Sequence, residues 1–566
     1  MLSRTAPRLP TNTPARPLPL VAALATGLAL ALVLAGCNRQ VDRSEEASAA
    51  SAADVPLMLP EQPAAASGAY QPTPQTNTEN YAKIEANPIH RTAEQPISTF
   101  SIDVDTGSYA NVRRMLAAGE LPPKDAVRVE ELVNYFDYGY PRPDSKDVPF
   151  KVTTELAPSP WNAKHVLMQV GIQGYEVDKT ELPASNLVLL VDTSGSMDEP
   201  DKLPLLKRAF AQLVPQLRAK DRVSIVAYAG SAGLVLPPTA GDRGGEILDA
   251  LERLQAGGAT NGGEGIQLAY ATARQAFIKD GINRVLLATD GDFNVGVANQ
   301  AALETMVADQ RKSGIALSTL GFGTGNYNDA MAEQLADIGN GNHAYIDSAL
   351  EAQKVLVEEL GSTLLTIAGD VKVQVEFNPA VVAEYRLIGY ENRLLKREDF
   401  NNDKVDAGEI GAGHDVTALY ELALVGSGGE SVDPLRYGKD VDKAEAKQPA
   451  AAEAKRDELA LLRLRYKRPG ENDSRLIETP MLRKDIAAEP GERMRFAAAV
   501  AGFGDLLRGG TYVGGNFGWD GVIGLARSAR GDDRNGYRGE FLQLAQTARS
   551  LQASGGPAQS AAVAEE

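Results

Sequence analysis

Five oxygen-bearing side chains occur directly after apolar runs or in a glycine-rich turn, at positions where they could act together. They are Asp192, Ser194 and Ser196 in a D-x-S-x-S motif, Thr260 in the run GGATNGG, and Asp290 after RVLLAT. The set offers only oxygen ligands, which suit a hard divalent cation such as Mg²⁺, or Mn²⁺ in its place. Two carboxylates are fewer than Ca²⁺ normally requires. Because the hydroxyls are neutral, the ion would keep a position for an acidic group of another molecule.

The segment that contains these residues, 184–360, alternates short apolar runs with amphipathic stretches. The apolar runs are NLVLLV, RVSIVAY, RVLLAT, ALSTLGF and HAYI. Continuous apolar strands that alternate with helices predict an α/β fold with a doubly wound, mostly parallel sheet covered on both faces. Ligands of such sheets bind beyond the carboxyl ends of the strands. Asp192 and Asp290 both follow strands, so we expect them at the same edge of the sheet.

Residues 184–360 resemble a von Willebrand factor type A domain, and the five side chains match its metal-ion-dependent adhesion site. The resemblance implies that Ser194 and Ser196 ligate the metal directly. It implies that the threonine and the two aspartates of the set ligate directly or through water. A protein partner would complete the coordination with a Glu or Asp carboxylate. The alternative is that Asp192 and Asp290 only cap loops and helices, as aspartate often does.

The two flanks of this segment have different patterns. Residues 79–183 combine helically spaced apolar residues with alternating strands, which predicts an N-terminal α+β module. Residues 370–550 begin with alternating strands and end in helical stretches, which predicts a C-terminal β-sandwich-like domain with helices. DVDTGSYANVRR and VEELVNYFDYGYP resemble the N-terminal module of a bacterial envelope family of von Willebrand A proteins, and the C-terminal region resembles its partner domain. Residues 551–566 are predicted to be a disordered tail.

The N-terminus has the pattern of a secretory signal. Residues 1–36 contain three arginines and then an uncharged apolar run that ends in Leu-Ala-Gly before Cys37, the only cysteine of the chain. This resembles the lipobox of bacterial lipoproteins, which implies that Cys37 is lipidated and inserts into a membrane. Asn38 at the next position implies sorting to the outer membrane, facing the periplasm. An uncleaved membrane anchor is the alternative, and residues 37–78 are predicted to be a disordered tether.

Composition excludes several classes of function. The 566 residues have a net charge of −18, with 57 basic and 75 acidic side chains, which disfavours nucleic-acid binding. One cysteine excludes an intrachain disulfide and an all-cysteine zinc site. Only four histidines are present, spread along the chain, so a multi-histidine metal centre is not expected and we expect their roles to be structural.

A second acidic motif offers an enzymatic alternative. Asp103 and Asp105 form D-x-D-x-T after a short apolar run, as in the nucleophile loop of haloacid-dehalogenase-type phosphatases, and Gly531-Asp532-Asp533 imitates the distal acids of that family. The core of alternating strands and helices that such an enzyme needs does not follow Thr106. We therefore expect the acids to close a strand and to cap a helix.

Two glycine-rich runs remain. Gly321-Phe322-Gly323-Thr324-Gly325 lies between a strand and a helix, but it lacks the final glycine of a dinucleotide fingerprint, so no nucleotide is expected. The run 511–521, around Trp519, could form a contact surface, although a packed loop is the preferred interpretation.

Taken together, these motifs predict a metal-dependent binding lipoprotein rather than an enzyme. A metal-assisted or Asp-nucleophile phosphohydrolase, and a scaffold with a vestigial metal site, are the alternatives.

Overall fold

The computed structural model describes residues 77–102, 105–291, 300–405, 407–436, 457–513 and 517–555. The predicted signal peptide 1–36, Cys37 and nearly all of the predicted tether lie outside these residues, and so does Asp103. Within the described ranges, no helix is long and apolar enough to cross a membrane.

The N-terminal flank supplies four strands and two helices. They are β1 (His90–Arg91), β2 (Ile97–Ser101), α1 (Gly107–Ala117), α2 (Val129–Asn134), β3 (Phe150–Pro158) and β4 (His165–Gly174). Helix α1 buries Tyr109, Val112 and Leu116, which recur at helical spacing. The ring of Tyr109 stacks on that of Tyr135 at the end of α2, with centroids 3.8 Å apart. The two helices therefore share one aromatic core.

The central segment alternates strands and helices. Its strands are β5 (Ser185–Asp192), β6 (Arg222–Tyr228), β7 (Ala232–Ala240), β8 (Ile282–Thr289), β9 (Ala316–Gly321) and β10 (His343–Tyr345). Its helices are α3 (Leu203–Leu213), α4 (Gly244–Glu252), α5 (Gly262–Gln275), α6 (Gln300–Lys312), α7 (Asp329–Ile338), α8 (Ala349–Gln353) and α9 (Leu360–Leu364). The sheet order is β10-β9-β8-β5-β6-β7, and every neighbouring pair is parallel except β6 with β7.

Both faces of this sheet are covered, as the continuous apolar strands predict. In β5, Leu187 and Leu189 pack into a core that includes Phe210 of α3. Their neighbours Val188 and Leu190 point to the opposite face and pack with α5 and α6. Alternate residues of one strand therefore serve two cores, which is why its apolar run is unbroken. The predicted doubly wound fold of 184–360 is confirmed.

The C-terminal flank supplies six strands and three helices. They are β11 (Thr366–Phe377), β12 (Val382–Ile388), β13 (Ile410–Gly411), β14 (Asp415–Leu424), β15 (Glu458–Lys467), β16 (Arg475–Leu482), α10 (Glu492–Leu507), α11 (Gly518–Ser528) and α12 (Tyr537–Ala553). One sheet has the order β1-β12-β14-β4-β3, and the other has β13-β11-β15-β16 with β2 paired to β11. The two sheets enclose a single apolar core.

The two flanks form one sandwich, which differs from the separate modules that the sequence predicts. Strand β4 pairs with β14 along nearly its whole length, and β2 pairs with β11. A strand pattern shows that a strand exists but not which distant strand pairs with it, so this union could not be read from the sequence. The central segment is therefore inserted between two sandwich strands. The predicted tail also differs at its start, because α12 continues to Ala553.

Ion pairs join both flanks to helix α7, and the pair from the N-terminal flank is fully buried. Arg128, 1% exposed, places Nη1 2.6 Å from Oδ2 of Asp329. From the C-terminal flank, Arg393 contacts Glu333 at 2.9 Å and Asp337 at 2.6 Å. Burial alone favours the protonated form of Asp329, but Arg128 and His343 hold the pKa of its carboxyl below the usual range.

Candidate metal site

Asp192 ends β5 and is fully buried beneath the site loop. Its Oδ1 accepts the backbone N–H of Ser194 at 2.8 Å. Its Oδ2 accepts the hydroxyl of Tyr228 at 3.1 Å and that of Thr289 at 3.3 Å. These donors come from β6 and β8, the two neighbours of β5 in the sheet. The carboxylate is therefore fixed at the carboxyl edge of three adjacent strands.

The D-x-S-x-S motif turns its two hydroxyls towards each other. Oγ of Ser194 lies 3.0 Å from Oγ of Ser196. Two backbone hydrogen bonds attach the glycine-rich turn to this loop: Gly257 donates to Thr193 at 2.8 Å, and Gly195 donates to Gly258 at 3.0 Å. The turn carries Thr260, which precedes α5. The structure thus attaches the turn that carries Thr260 to the loop that holds both serines.

Asp290 lies directly after β8, is fully buried, and pairs with a lysine that the sequence analysis missed. Nζ of Lys202 lies 2.9 Å from Oδ2 of Asp290 and 3.0 Å from Oδ1 of Asn326. Burial raises the pKa of Asp192 to about 6, and the negative charge of Asp290 adds to this increase. The two aspartates are therefore close enough to interact electrostatically, as their common edge predicts.

The donor chemistry of this edge fits a divalent cation. Two buried carboxylates and two hydroxyls in mutual contact form an oxygen-rich cluster, which Mg²⁺ and Mn²⁺ favour. Asp192, Ser194, Ser196, Thr260 and Asp290 are the residues that would hold the ion. Across the part of the chain that the structure describes, no group of three or more His, Cys, Asp or Glu side chains could hold a metal ion, and the candidate site itself has two carboxylates.

The loop between β9 and α7 packs against the candidate site. A methyl group added at Gly321 would overlap the ring of Tyr327, and one added at Gly323, where φ is +75°, would overlap the side chain of Lys202. These close approaches require glycine at 321 and 323, and a φ of +91° favours it at 325, so the run has a structural explanation. Residues just before β1 hold the loop, because Thr78 donates its N–H to Gly325 at 2.8 Å and Asn80 donates to Tyr327 at 3.0 Å.

The sequence contains a weak signal for Lys202. This lysine is the N-cap of α3, where the helix dipole disfavours a cation and where Ser, Thr, Asp or Asn is usual. A lysine at a helix N-terminus next to a D-x-S-x-S motif could have indicated an internal anionic partner. Tyr228 and Thr289 carried no such signal, because each reads as an ordinary strand residue.

The residues of the competing motifs make structural contacts. Asp105, 3% exposed, accepts the backbone N–H of His343 at 2.7 Å and lies 3.5 Å from Arg393. Asp533 accepts the backbone N–H groups of Arg538 and Gly539 at the start of α12. Trp519 packs its ring on Phe503 of α10, with centroids 5.9 Å apart.

A doubly wound sheet with this loop constellation at its carboxyl edge defines a von Willebrand factor type A domain. The family profile of that domain matches residues 186–359. Domains of this family commonly mediate protein interactions and often bind a divalent metal at such a site. Two further profiles match the flanks: "von Willebrand factor" at 75–169 and "Uncharacterized protein YfbK, C-terminal" at 362–551.

The chain belongs to the family of von Willebrand factor type A proteins that includes YfbK. It is 50% identical to "Uncharacterized protein YfbK" of Escherichia coli (strain K12), over 83% of this chain and 81% of the relative. It is 31% identical to "Uncharacterized protein sll0103" of Synechocystis sp., over 35% of this chain and 45% of that protein. A solved "von Willebrand factor type A from Catenulispora acidiphila" covers 70% of this chain and 89% of its own, with 16% identity and a TM-score of 0.38.

Proposed function

We propose that this protein is a non-enzymatic, metal-dependent binding lipoprotein of the bacterial cell envelope. Asp192, Ser194, Ser196, Thr260 and Asp290 would hold Mg²⁺, or Mn²⁺, and a protein partner would contribute a Glu or Asp carboxylate. Cys37 would carry the lipid that attaches the chain to the outer membrane, facing the periplasm. Adhesion and assembly of an envelope complex are both uses of such a site.

The observation that supports this proposal most is the contact between the hydroxyls of Ser194 and Ser196 above a fixed Asp192. The two hydroxyls carry no charge, so only the two aspartates can balance the charge of a dication. One of these aspartates, Asp290, is already paired with Lys202. When bound, the dication supplies a position that attracts an anionic oxygen. Attraction at short range is strong where water is excluded, so it outweighs the repulsion between an acidic partner and a chain of −18.

The proposal predicts that partner capture depends on metal and on the serines. The purified chain lacking residues 1–36 is incubated with envelope extract and crosslinked, with Mg²⁺ or with a chelator. Wild type should capture a partner only with Mg²⁺, and the Ser194→Ala/Ser196→Ala variant should capture none. Asp249→Ala changes an exposed acid of α4 in the same domain and should behave as wild type. Direct Mn²⁺ binding, measured by electron paramagnetic resonance, should be retained by wild type and by Asp249→Ala and weakened in the double serine variant.

Equal capture in chelator, or by the double serine variant, would contradict the proposal. Recognition would then lie on another surface, and substitution of Trp519 would be the next variant to examine. Mn²⁺ binding that survives in the Asp192→Ala variant would show that the ion is held elsewhere.

A further inference from the structure

Lys202 is a buried cation that the chain places inside its own candidate metal site. Its side chain is 6% exposed, and that of its partner Asp290 is 0% exposed. The ammonium donates to Asp290 at 2.9 Å and to Asn326 at 3.0 Å. A buried ion pair of this kind has a large desolvation cost, so a lysine at this place requires structural support.

That support comes from the loop between β9 and α7. The aliphatic stem of Lys202 packs on Gly323, where any side chain would overlap it. Asn326 of the same loop holds the ammonium. The loop is fixed in turn by Thr78 and Asn80, and by Gly291, where a methyl group would overlap the backbone of Tyr327 and Asn328. Lys202 therefore has one fixed position, unlike a surface lysine with many rotamers.

The charges of the site then determine what it can hold. Asp192 and Asp290 bring two negative charges and Lys202 brings one positive charge, so a bound dication would leave the site with a single positive charge. One external carboxylate would neutralise it. Without the lysine, the two aspartates would neutralise the dication by themselves.

We propose that Lys202 is a positioning residue that acts as the built-in counter-charge of the metal site. It lowers the affinity for the dication and, once the ion is bound, retains the positive charge that one carboxylate of a partner satisfies. This inference rests on the proposed function, since it concerns the same site.

The test is direct Mn²⁺ titration of the full chain by electron paramagnetic resonance, which measures the metal alone. Lys202→Met removes the charge, Lys202→Gln removes it but keeps polar contacts, and Lys202→Arg retains it. Lys279→Met, at an exposed turn of the same domain, is the matched control. We expect Lys202→Met and Lys202→Gln to bind Mn²⁺ at least tenfold more tightly than wild type. The Mn²⁺ affinity of Lys202→Arg and of the Lys279→Met control should change by less than about threefold.

A second measurement addresses the carboxylate. At saturating Mn²⁺, relaxation of ¹³C-acetate should be enhanced more by wild type than by Lys202→Gln. Melting temperatures measured in chelator establish whether each variant is folded. If Lys202→Met is unfolded, the conclusion is drawn from Lys202→Gln. Unchanged or weaker Mn²⁺ binding by Lys202→Gln, or equal acetate relaxation, would overturn the inference while the proposed function stands.

The two proposals fail in different ways. Wild type that binds no Mn²⁺ contradicts the proposed function. If Lys202→Gln then binds the ion, the lysine opposes the metal as inferred, but its role towards a partner carboxylate is wrong, because the native chain holds no ion. If no variant binds, both proposals are wrong.

Discussion

Nη1 of Arg128 lies 2.6 Å from Oδ2 of Asp329, and this buried pair attaches the N-terminal flank to helix α7 of the A domain. Glu131 is a second partner of the same guanidinium and also accepts the N–H of Ser108 at 2.8 Å. Removal of Arg128 therefore takes the guanidinium away from two buried carboxylates.

We expect Arg128→Met to lower the free energy of unfolding by about 3–5 kcal/mol, because an uncompensated buried charge is costly. The measurement is urea denaturation at pH 7. Arg243→Met, which breaks an exposed pair with Glu246, should cost less than about 1 kcal/mol. If the two variants lose the same stability, the flank and the A domain are not coupled through Arg128.

Glu130 gives the stability a defined pH dependence. It is 4% exposed, and burial raises the pKa of its carboxyl to about 8, with Glu391 and Glu131 adding to the increase. A carboxyl whose folded pKa exceeds its unfolded value contributes stability below the unfolded pKa and loses it as pH rises through the folded pKa. Glu130→Gln removes the ionisable group, so the stability of this variant relative to wild type should improve by about 4 kcal/mol between pH 5 and pH 8.5. Glu85→Gln, at an 84% exposed side chain, should show no such trend in paired urea titrations.

Divalent metal should stabilise the native chain by mass action. At tenfold excess over the dissociation constant the gain is about 1.4 kcal/mol, which corresponds to a rise of a few degrees in melting temperature. Asp192→Ala should abolish the shift, and Asp249→Ala should retain it. Thermal unfolding with millimolar Mg²⁺, Mn²⁺ or chelator measures this, and a wild type insensitive to both ions would count against the site.

Cys37 should carry the membrane attachment. We expect Cys37→Ser to lose labelling by a palmitate analogue and to leave the membrane fraction, because the chain has no other cysteine for the lipid. Fractionation and labelling in the bacterial host measure both. Retention of label and of membrane association in the variant would refute lipidation at this residue.

The phosphohydrolase alternative predicts turnover that depends on Asp103. We expect wild type and Asp103→Asn to hydrolyse p-nitrophenyl phosphate at the background rate with Mg²⁺ present. In the structure, Asp105 accepts the backbone N–H of His343 and lies beside Arg393. Activity in wild type that is lost in Asp103→Asn would establish an enzyme instead.

The parts of the fold that follow from local pattern could be predicted. Unbroken apolar strands and amphipathic helices indicate the doubly wound sheet, and strand ends place Asp192 and Asp290 at one edge. The pairing of β4 with β14 could not be predicted, because an alternating strand fits many partners equally well. Arg128 and Lys202 were missed for a related reason. Their charges suggest solvent, and only the distant carboxylates Asp329 and Asp290 make their burial possible.

The shared sandwich also constrains the order in which the chain can fold. Strand β4 emerges early, but its partner β14 follows about 250 residues later, after the whole A domain. Until then, the β3–β4 hairpin exposes an unpaired edge and an apolar face, while the A domain already has every strand of its own sheet. We therefore expect the A domain to complete its sheet before the flanks join around it, because the sandwich needs β14. A chain truncated before Asp415 would retain the metal-site loops but carry an open sheet edge, which makes it prone to aggregation.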